Sequence, residues 1–208
     1  MKMILILVAL AVAACSARAA ELPQVTCDVL VVGGGSAGIC AAVQSGRAGA
    51  KTVLVEAAHQ VGGNTTTGGV NFPGLFHAWG RQVIAGVGWD LVTNTVGTAG
   101  GALPDFTQPT GKAHWKHQVT VNIPLFVALA EEMLQRAGVT IQYHAAPMRV
   151  EKSAGGWRVV TAAAGDTRTI LCKQIVDCTG NGAVAGLLGL ERLREDERMP
   201  GSFAYTLR

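Results

Sequence analysis

Charge is scarce in this chain. Only 15% of its 208 residues are Asp, Glu, Lys or Arg, and the net charge is +3. The Lys and Arg residues are scattered rather than striped, with few aromatics between them, so the electrostatic footprint of a nucleic-acid binder is absent. Aromatics supply 5% of residues, yet 49% are hydrophobic, so the chain has the apolar content of a globular protein and not of a disordered one. There is no C-x-x-C, and no Cys/His cluster has zinc or iron–sulfur spacing, so no metal site is expected. Neither G-x-S-x-G nor H-E-x-x-H occurs, which removes the local signals of a hydrolase.

Long apolar runs are also missing beyond the N-terminus. Ile4 to Ala14 is unbroken but too short to span a bilayer comfortably. It follows Met1-Lys2 and precedes Ala17-Arg18-Ala19, so residues 1–19 read as a signal peptide and the protein as exported, periplasmic or extracellular. A second reading stays open: Val12-Ala13-Ala14-Cys15 has the form of a lipobox, which would leave Cys15 lipidated and the protein tethered. No twin-arginine pair precedes the run, so a cofactor would be acquired outside the cytoplasm. The five cysteines are Cys15, Cys27, Cys40, Cys172 and Cys178. Export permits disulfides, but Cys27, Cys40 and Cys178 lie in apolar stretches and read as buried free thiols.

Glycine, by contrast, is abundant at 27 residues. Residues 29–38 read VLVVGGGSAG, and in so glycine-rich a chain about 0.4 chance matches to G-x-G-x-x-G are expected. The context carries the motif. Thr26 to Val32 is a strand buried on both faces, Ser36 to Ala48 a helix with Ala37, Ala41 and Ala42 toward the sheet, and Thr52 to Val55 a second buried strand ending at Glu56. A strand, a glycine turn, a helix and an acid ending the next strand form the dinucleotide fingerprint. Gly33 allows the tight turn, Gly35 lets backbone approach a pyrophosphate, and Gly38 lets the helix pack on the strand. The anion then lies on the helix N-terminus. Glu56 accepts from a ribose diol and repels a 2′-phosphate, which argues against an NADP-type ligand.

Gly180-Asn181-Gly182-Ala183-Val184-Ala185 mimics the motif after the apolar strand Ile175 to Cys178, but no second buried strand ending in an acid follows. Between Glu56 and residue 120 the chain reads as loop, with residues 80–121 an irregular insertion. Gly62-Gly63-Asn64-Thr65 within it could lie along a cofactor. Asn122 to Ala137 is an amphipathic helix capped by Asn122, with Leu125, Leu129 and Met133 along one face, and Val139 to Tyr143 is a strand. Met148 to Ser153, Trp157 to Ala163 and Thr167 to Leu171 alternate as antiparallel strands, with Gly155-Gly156 and Gly165-Asp166 as turns.

A doubly wound start, a small antiparallel meander and a late strand ending in Thr179-Gly180 resemble the two-dinucleotide-binding flavoprotein fold. VVGGGSAGICAA, VLVEAAHQVGGNTTTGG, PGLFHAWGRQVIAGVGWDLV and IVDCTGNGAVAGLLG resemble the FAD-dependent oxidoreductases often called HdrA-like, near the fumarate reductase and aspartate oxidase group. The resemblance implies an α/β fold: a Rossmann-like FAD-binding domain over residues 20–195, its parallel sheet begun by the βαβ unit, plus the β-meander. It implies that Gly33, Gly35, Ser36, Ala37 and Gly38 face the pyrophosphate and Glu56 the adenosine ribose. It further implies that Gly62, Gly63, Asn64 and Thr65 lie along the ribityl–flavin half, that backbone near Met148 meets the adenine edge, and that Thr179, Gly180 and Gly182 close over the cofactor.

The chain departs from its relatives in three ways. Residues 62–69 hold no His and His59 comes too early, so FAD is expected to be non-covalent. The ligand cysteines for the iron–sulfur clusters of HdrA-type relatives are absent. Family members continue for hundreds of residues, so the C-terminal half of the family fold is expected to be missing, with residues 196–208 the start of a truncated substrate or cap domain. The implied activity is hydride transfer between a small organic substrate and FAD, with an electron acceptor still to be identified. An incomplete or non-catalytic FAD-binding module and an NAD-binding redox partner are the alternatives. Catalytic residues are not assigned, and His77, Arg81, His114 and His117 are the candidate proton handlers.

Overall fold

The computed structural model describes residues 24–163 and 165–193. The signal-peptide and lipobox readings and the expected cap segment 196–208 lie outside the described residues.

Among the described residues, six strands form one sheet in the order β5-β2-β1-β8-β7-β6. Strand β1 (Gln24–Val32) pairs in parallel with β2 (Thr52–Val55) on one side and β8 (Asp166–Asp177) on the other, and β2 pairs in parallel with β5 (Thr140–Gln142). Beyond β8 the sheet turns antiparallel through β7 (Gly156–Ala163) and β6 (Ala145–Ser153). Helix α1 (Ser36–Arg47) connects β1 to β2, and α2 (Val87–Thr98), α3 (Ile123–Arg136) and the short α4 (Ala183–Leu187) follow. A two-stranded hairpin of β3 (His77–Ala78) and β4 (Arg81–Gln82) stands apart.

Strand β1 is apolar on both faces because both are covered. Val31 joins Ile39, Val43, Leu54, Leu91, Val92, Phe126 and Leu134 in the core under the helices. Its neighbours Leu30 and Val32 face the other way, onto Val53, Val55, Val150, Val159, Ile170 and Val184. Each such aliphatic side chain contributes about 1.5–3 kcal/mol on burial, so the double-sided packing fixes the register of the central strands.

Four sequence expectations need correction. The segments 167–171 and 175–178 are not two strands. All but Cys178 belong to one strand of 12 residues, β8, which leaves the meander and runs on beside β1 from Gln24↔Thr169 to Val32↔Asp177. Its polar interruption Lys173-Gln174 is tolerated because those side chains are exposed, Lys173 pairing with Asp28 at 2.7 Å. The stretch 80–121 is not irregular throughout. Residues 87–98 form α2, whose Gly, Thr and Asn content lowers helix propensity while Leu91, Val92, Thr95 and Val96 are buried. The buried face of α3 is Phe126, Ala130 and Leu134, with Leu129 and Met133 only packed at its edge. On α1 the sheet-facing residues are Gly38, Ile39, Ala42 and Val43, and Ala37 is exposed. The described cysteines are free; Cys27 and Cys172 are buried register partners, while Cys40 and Cys178 are half-buried.

Candidate functional site

The C-terminal end of β1 lies between the ends of β2 and β8, the place where open α/β sheets bind ligands. A cleft of about 570 Å³ opens there. Two glycine loops build its floor. The chain leaves β1 at Gly33, where φ is +97° and a Cβ would stand 2.7 Å from the Cys178 carbonyl oxygen. Gly38 passes so close beneath that a Cβ would lie 1.7 Å from the Gly33 carbonyl oxygen. These two contacts hold the first turn of α1 against the strand ends. The second loop, Gly62 to Thr65, is stitched to the first by a parallel bridge between Gly35 and Gly62 and by the Gly62 N–H donating to Gly34 O at 2.8 Å.

The start of α1 differs from that of α3. Helix α3 is capped by its own Asn122, whose Oδ1 accepts from the Leu125 N–H at 3.0 Å. Helix α1 has Gly35 at its N-cap, no side-chain cap and no acid in its first turn. Its backbone donors and the positive end of its dipole therefore face the cleft, an arrangement that attracts an anion. A Cβ on Gly35 or Gly180 would meet nothing within 4 Å, so at both positions the cleft continues to the backbone itself.

Glu56 stands at the end of β2. Its Oε2 accepts from the Gly34 N–H at 2.5 Å and its Oε1 from the Ala58 N–H at 2.7 Å. A carboxylate has about four lone-pair sites, so each oxygen keeps one for a hydroxyl. The opposite rim is organised by Asp177. Its Oδ1 accepts from the Thr179 N–H at 3.0 Å and the Thr179 hydroxyl at 2.6 Å, and its Oδ2 accepts from the Ala185 N–H at 3.1 Å. The Thr179 Oγ1 in turn accepts from the Ala183 N–H at 2.7 Å. Burial pushes the Asp177 carboxyl up, but these hydrogen bonds outweigh it and hold the group below its ordinary range. Sequence reading missed this residue; a carboxylate two positions before the threonine of Asp177-Cys178-Thr179-Gly180 was the available signal.

Of the expected residues, Gly33, Gly35, Ser36, Ala37, Glu56, Gly62, Gly63, Asn64, Thr179 and Gly180 line this one cleft. Four do not. Gly38 is buried beneath the floor, and Thr65 is only 5% exposed under its loop. Gly182 is the N-cap of α4, with the Arg192 side chain against it. Met148 lies beyond the cleft and is 55% exposed; the lining at that edge comes instead from Ala145, Ala146 and Pro147. Val32, Val55, Ala57, Cys178 and Ala183 add apolar wall, Asn181 joins the rim, and among the described residues no Lys or Arg lines the cleft. The proton-handler candidates lie elsewhere: His77, His114 and His117 converge on a second cavity, and Arg81 is exposed on β4. Among the described residues no His, Cys, Asp or Glu cluster could hold a metal ion.

The donor set fits a dinucleotide. Uncapped helical N–H groups suit a pyrophosphate, a carboxylate with free lone pairs suits a ribose diol, and the apolar wall suits flat rings. The profile of the family described as FAD dependent oxidoreductase matches residues 28–198. No curated protein matches the chain in sequence. Among solved structures, the OxyS anhydrotetracycline hydroxylase from Streptomyces rimosus superposes with a TM-score of 0.58 at 18% identity, over 83% of this chain and 36% of its own. A flavoprotein/dehydrogenase from Cytophaga hutchinsonii gives 0.53 at 19% identity, over 83% and 44%. The flavin-dependent monooxygenase PieE, solved with FAD and substrate, gives 0.50 at 18% identity, over 80% and 32%. These likenesses establish the shared fold, and the chain spans less than half the length of each of the three.

Proposed function

The chain belongs to the FAD dependent oxidoreductase family, and we propose that it forms the cofactor-holding part of an exported flavoenzyme acting on a small organic molecule. FAD, the cofactor of the family, supplies hydride chemistry at its ring system when bound. The protein's part is binding and orientation. The N–H groups at the start of α1, from Ser36 onward, take the pyrophosphate. Glu56 takes the ribose hydroxyls, its carboxylate already aimed by the Gly34 and Ala58 N–H groups. Gly62, Gly63 and Asn64 line the floor toward the other half of the cofactor, and Ala145 to Pro147 flank the adenine edge. Asp177 fixes the Thr179-Gly180 rim so that it closes on the cofactor from the β8 side.

The observation that carries this reading is the paired glycine floor under an uncapped helix, with a pre-aimed carboxylate at its edge. Among the described residues that line the cleft, only Glu56 and Cys178 are titratable. That favours a second reading, in which this part of the chain is a flavin-binding module and proton transfer comes from groups outside the cleft. No helix of the described residues is long and apolar enough to cross a membrane.

An absorbance spectrum of the full chain, taken after FAD is added and the excess removed, tests the reading. Bound-flavin bands released by acid precipitation are the expected result and mark non-covalent attachment. A colourless protein that binds NAD in a parallel titration would overturn it.

A further inference from the structure

The second cavity, about 530 Å³, shares no lining residue with the glycine cleft. His77 and Trp79 come from the β3–β4 hairpin, Thr107 and Thr110 from the loop after α2, and His114 and His117 from the single 3-10 turn His114–His117. None of its lining residues carries a formal charge.

His117 is 8% exposed, and its Nε2 has no hydrogen-bond partner among the described residues; His77 Nδ1 is likewise buried and without a partner among them. Buried polar groups in folded proteins are almost always satisfied, yet these two nitrogens lie closed off beside the cavity, so neither is held by the fold's own hydrogen bonds. Both rings are fixed. His77 stacks on Phe106 with centroids 3.7 Å apart and planes at 8°, and His117 meets the same ring edge-on at 5.5 Å. Asp105, the nearby carboxylate, is engaged by Thr107 and Gln108.

Trp79 is the independent observation. It occupies the first of two left-handed positions in the hairpin turn, with φ 52° followed by Gly80 at φ 72°. Tight hairpins place Asn, Asp or Gly there, and a bulky residue at such a φ is an outlier. Its indole is 87% exposed at the cavity rim. Neither packing nor turn geometry accounts for a tryptophan at this position.

We propose that this cavity binds a small planar carboxylic acid, its carboxylate taken by imidazole N–H groups and the Thr110 hydroxyl and its flat body laid on the Trp79 indole. Imidazole N–H groups and the Thr110 hydroxyl can donate to an anion, no lining carboxylate competes for them, and an exposed indole face stacks on a conjugated or aromatic body. A metal is not proposed here: the three histidines line one cavity, but no three His, Cys, Asp or Glu side chains among the described residues are grouped so as to hold one ion.

Calorimetric titration of the full chain with benzoate, benzamide and acetate tests this. Benzoate is expected to bind at least about tenfold more tightly than benzamide, which lacks the charge, and acetate, which lacks the ring. His114→Gln, at an exposed rim position, is expected to weaken benzoate by about tenfold, a typical loss for one charge-assisted hydrogen bond. Trp79→Asn suits the turn, so the fold is retained while benzoate affinity falls to that of acetate. Benzoate binding no tighter than either comparator, or unchanged in both variants, overturns the proposal. The site does not rest on the flavin cleft, and the titration is run with and without FAD. Benzoate binding by a protein that holds no flavin overturns only the flavin reading; flavin retention without benzoate selectivity overturns only this one.

Discussion

The glycine cleft and the histidine cavity are nearly equal in volume, about 570 and 530 Å³, and opposite in construction. The first is made of backbone: glycines, an uncapped helix start and one carboxylate held by two N–H groups. The second is made of side chains, three imidazoles and an indole on loops and a hairpin. A backbone site depends on what is left out, because every added methyl intrudes either on the protein or on the ligand. A side-chain site depends on what is put in, and its residues can be exchanged without touching the sheet.

The sharpest way to break this comparison lies within one motif. Gly38→Ala puts a methyl into the Gly33 carbonyl, and neither backbone can yield without moving α1 off the sheet. A loss of about 3 kcal/mol or more is expected in denaturant unfolding; a loss under about 1 kcal/mol would mean that the helix has room to shift. Gly35→Ala, three residues earlier, is the opposite case. Its φ is −67° and its Cβ meets nothing, so stability should change by less than about 0.5 kcal/mol. The methyl points into the cleft, however, and flavin retention should fall by at least about tenfold. Equal flavin affinity in Gly35→Ala would place the cofactor elsewhere.

Glu56→Gln comes next in size. The amide keeps one acceptor but loses the charge, and FAD affinity should drop by about tenfold, close to 1.4 kcal/mol, as read by flavin fluorescence on titration. Asn122→Ala removes the cap of α3 and should cost about 1 kcal/mol, or about 2–4 °C in Tm, with flavin binding unchanged. A cap loss that weakened flavin would show that α3 and the cleft are coupled. The smallest effect has the other sign. Trp79→Asn relieves the left-handed strain of the turn and should raise stability by a few tenths to about 1 kcal/mol, visible as a small rise in Tm.

How far each site could be read beforehand follows from the same contrast. Gly33, Gly35 and Glu56 were legible because the strand, turn, helix and strand that position them are contiguous, and each element carries its own period or turn signal. Met148 and Gly182 were expected from the family resemblance; neither lines the cleft, although their neighbours Pro147, Asn181 and Ala183 do. The bulge between Pro147 and Arg149 and the Arg192 side chain over Gly182 decide which atoms reach the cleft, and neither has a local signature. Helix α2 was hidden by residues of low helix propensity. Only the burial of Leu91, Val92, Thr95 and Val96 against the helix layer selects that conformation.

The sequence alone determined the βαβ start, its anion-seeking turn and the acid at the end of β2, because steric and hydrogen-bonding rules over some thirty residues leave few alternatives. The tertiary structure decided the rest. It ran β8 past the meander to lie beside β1, which brings Asp177 beside Val32 and Cys178 and Thr179 against Gly33, far away in the chain. It also folded residues 77–117 so that three histidines share one cavity. Both depend on long-range closure: parallel pairing and loop convergence are stabilised by contacts between distant segments, and no period or motif within either segment encodes which partner it will meet.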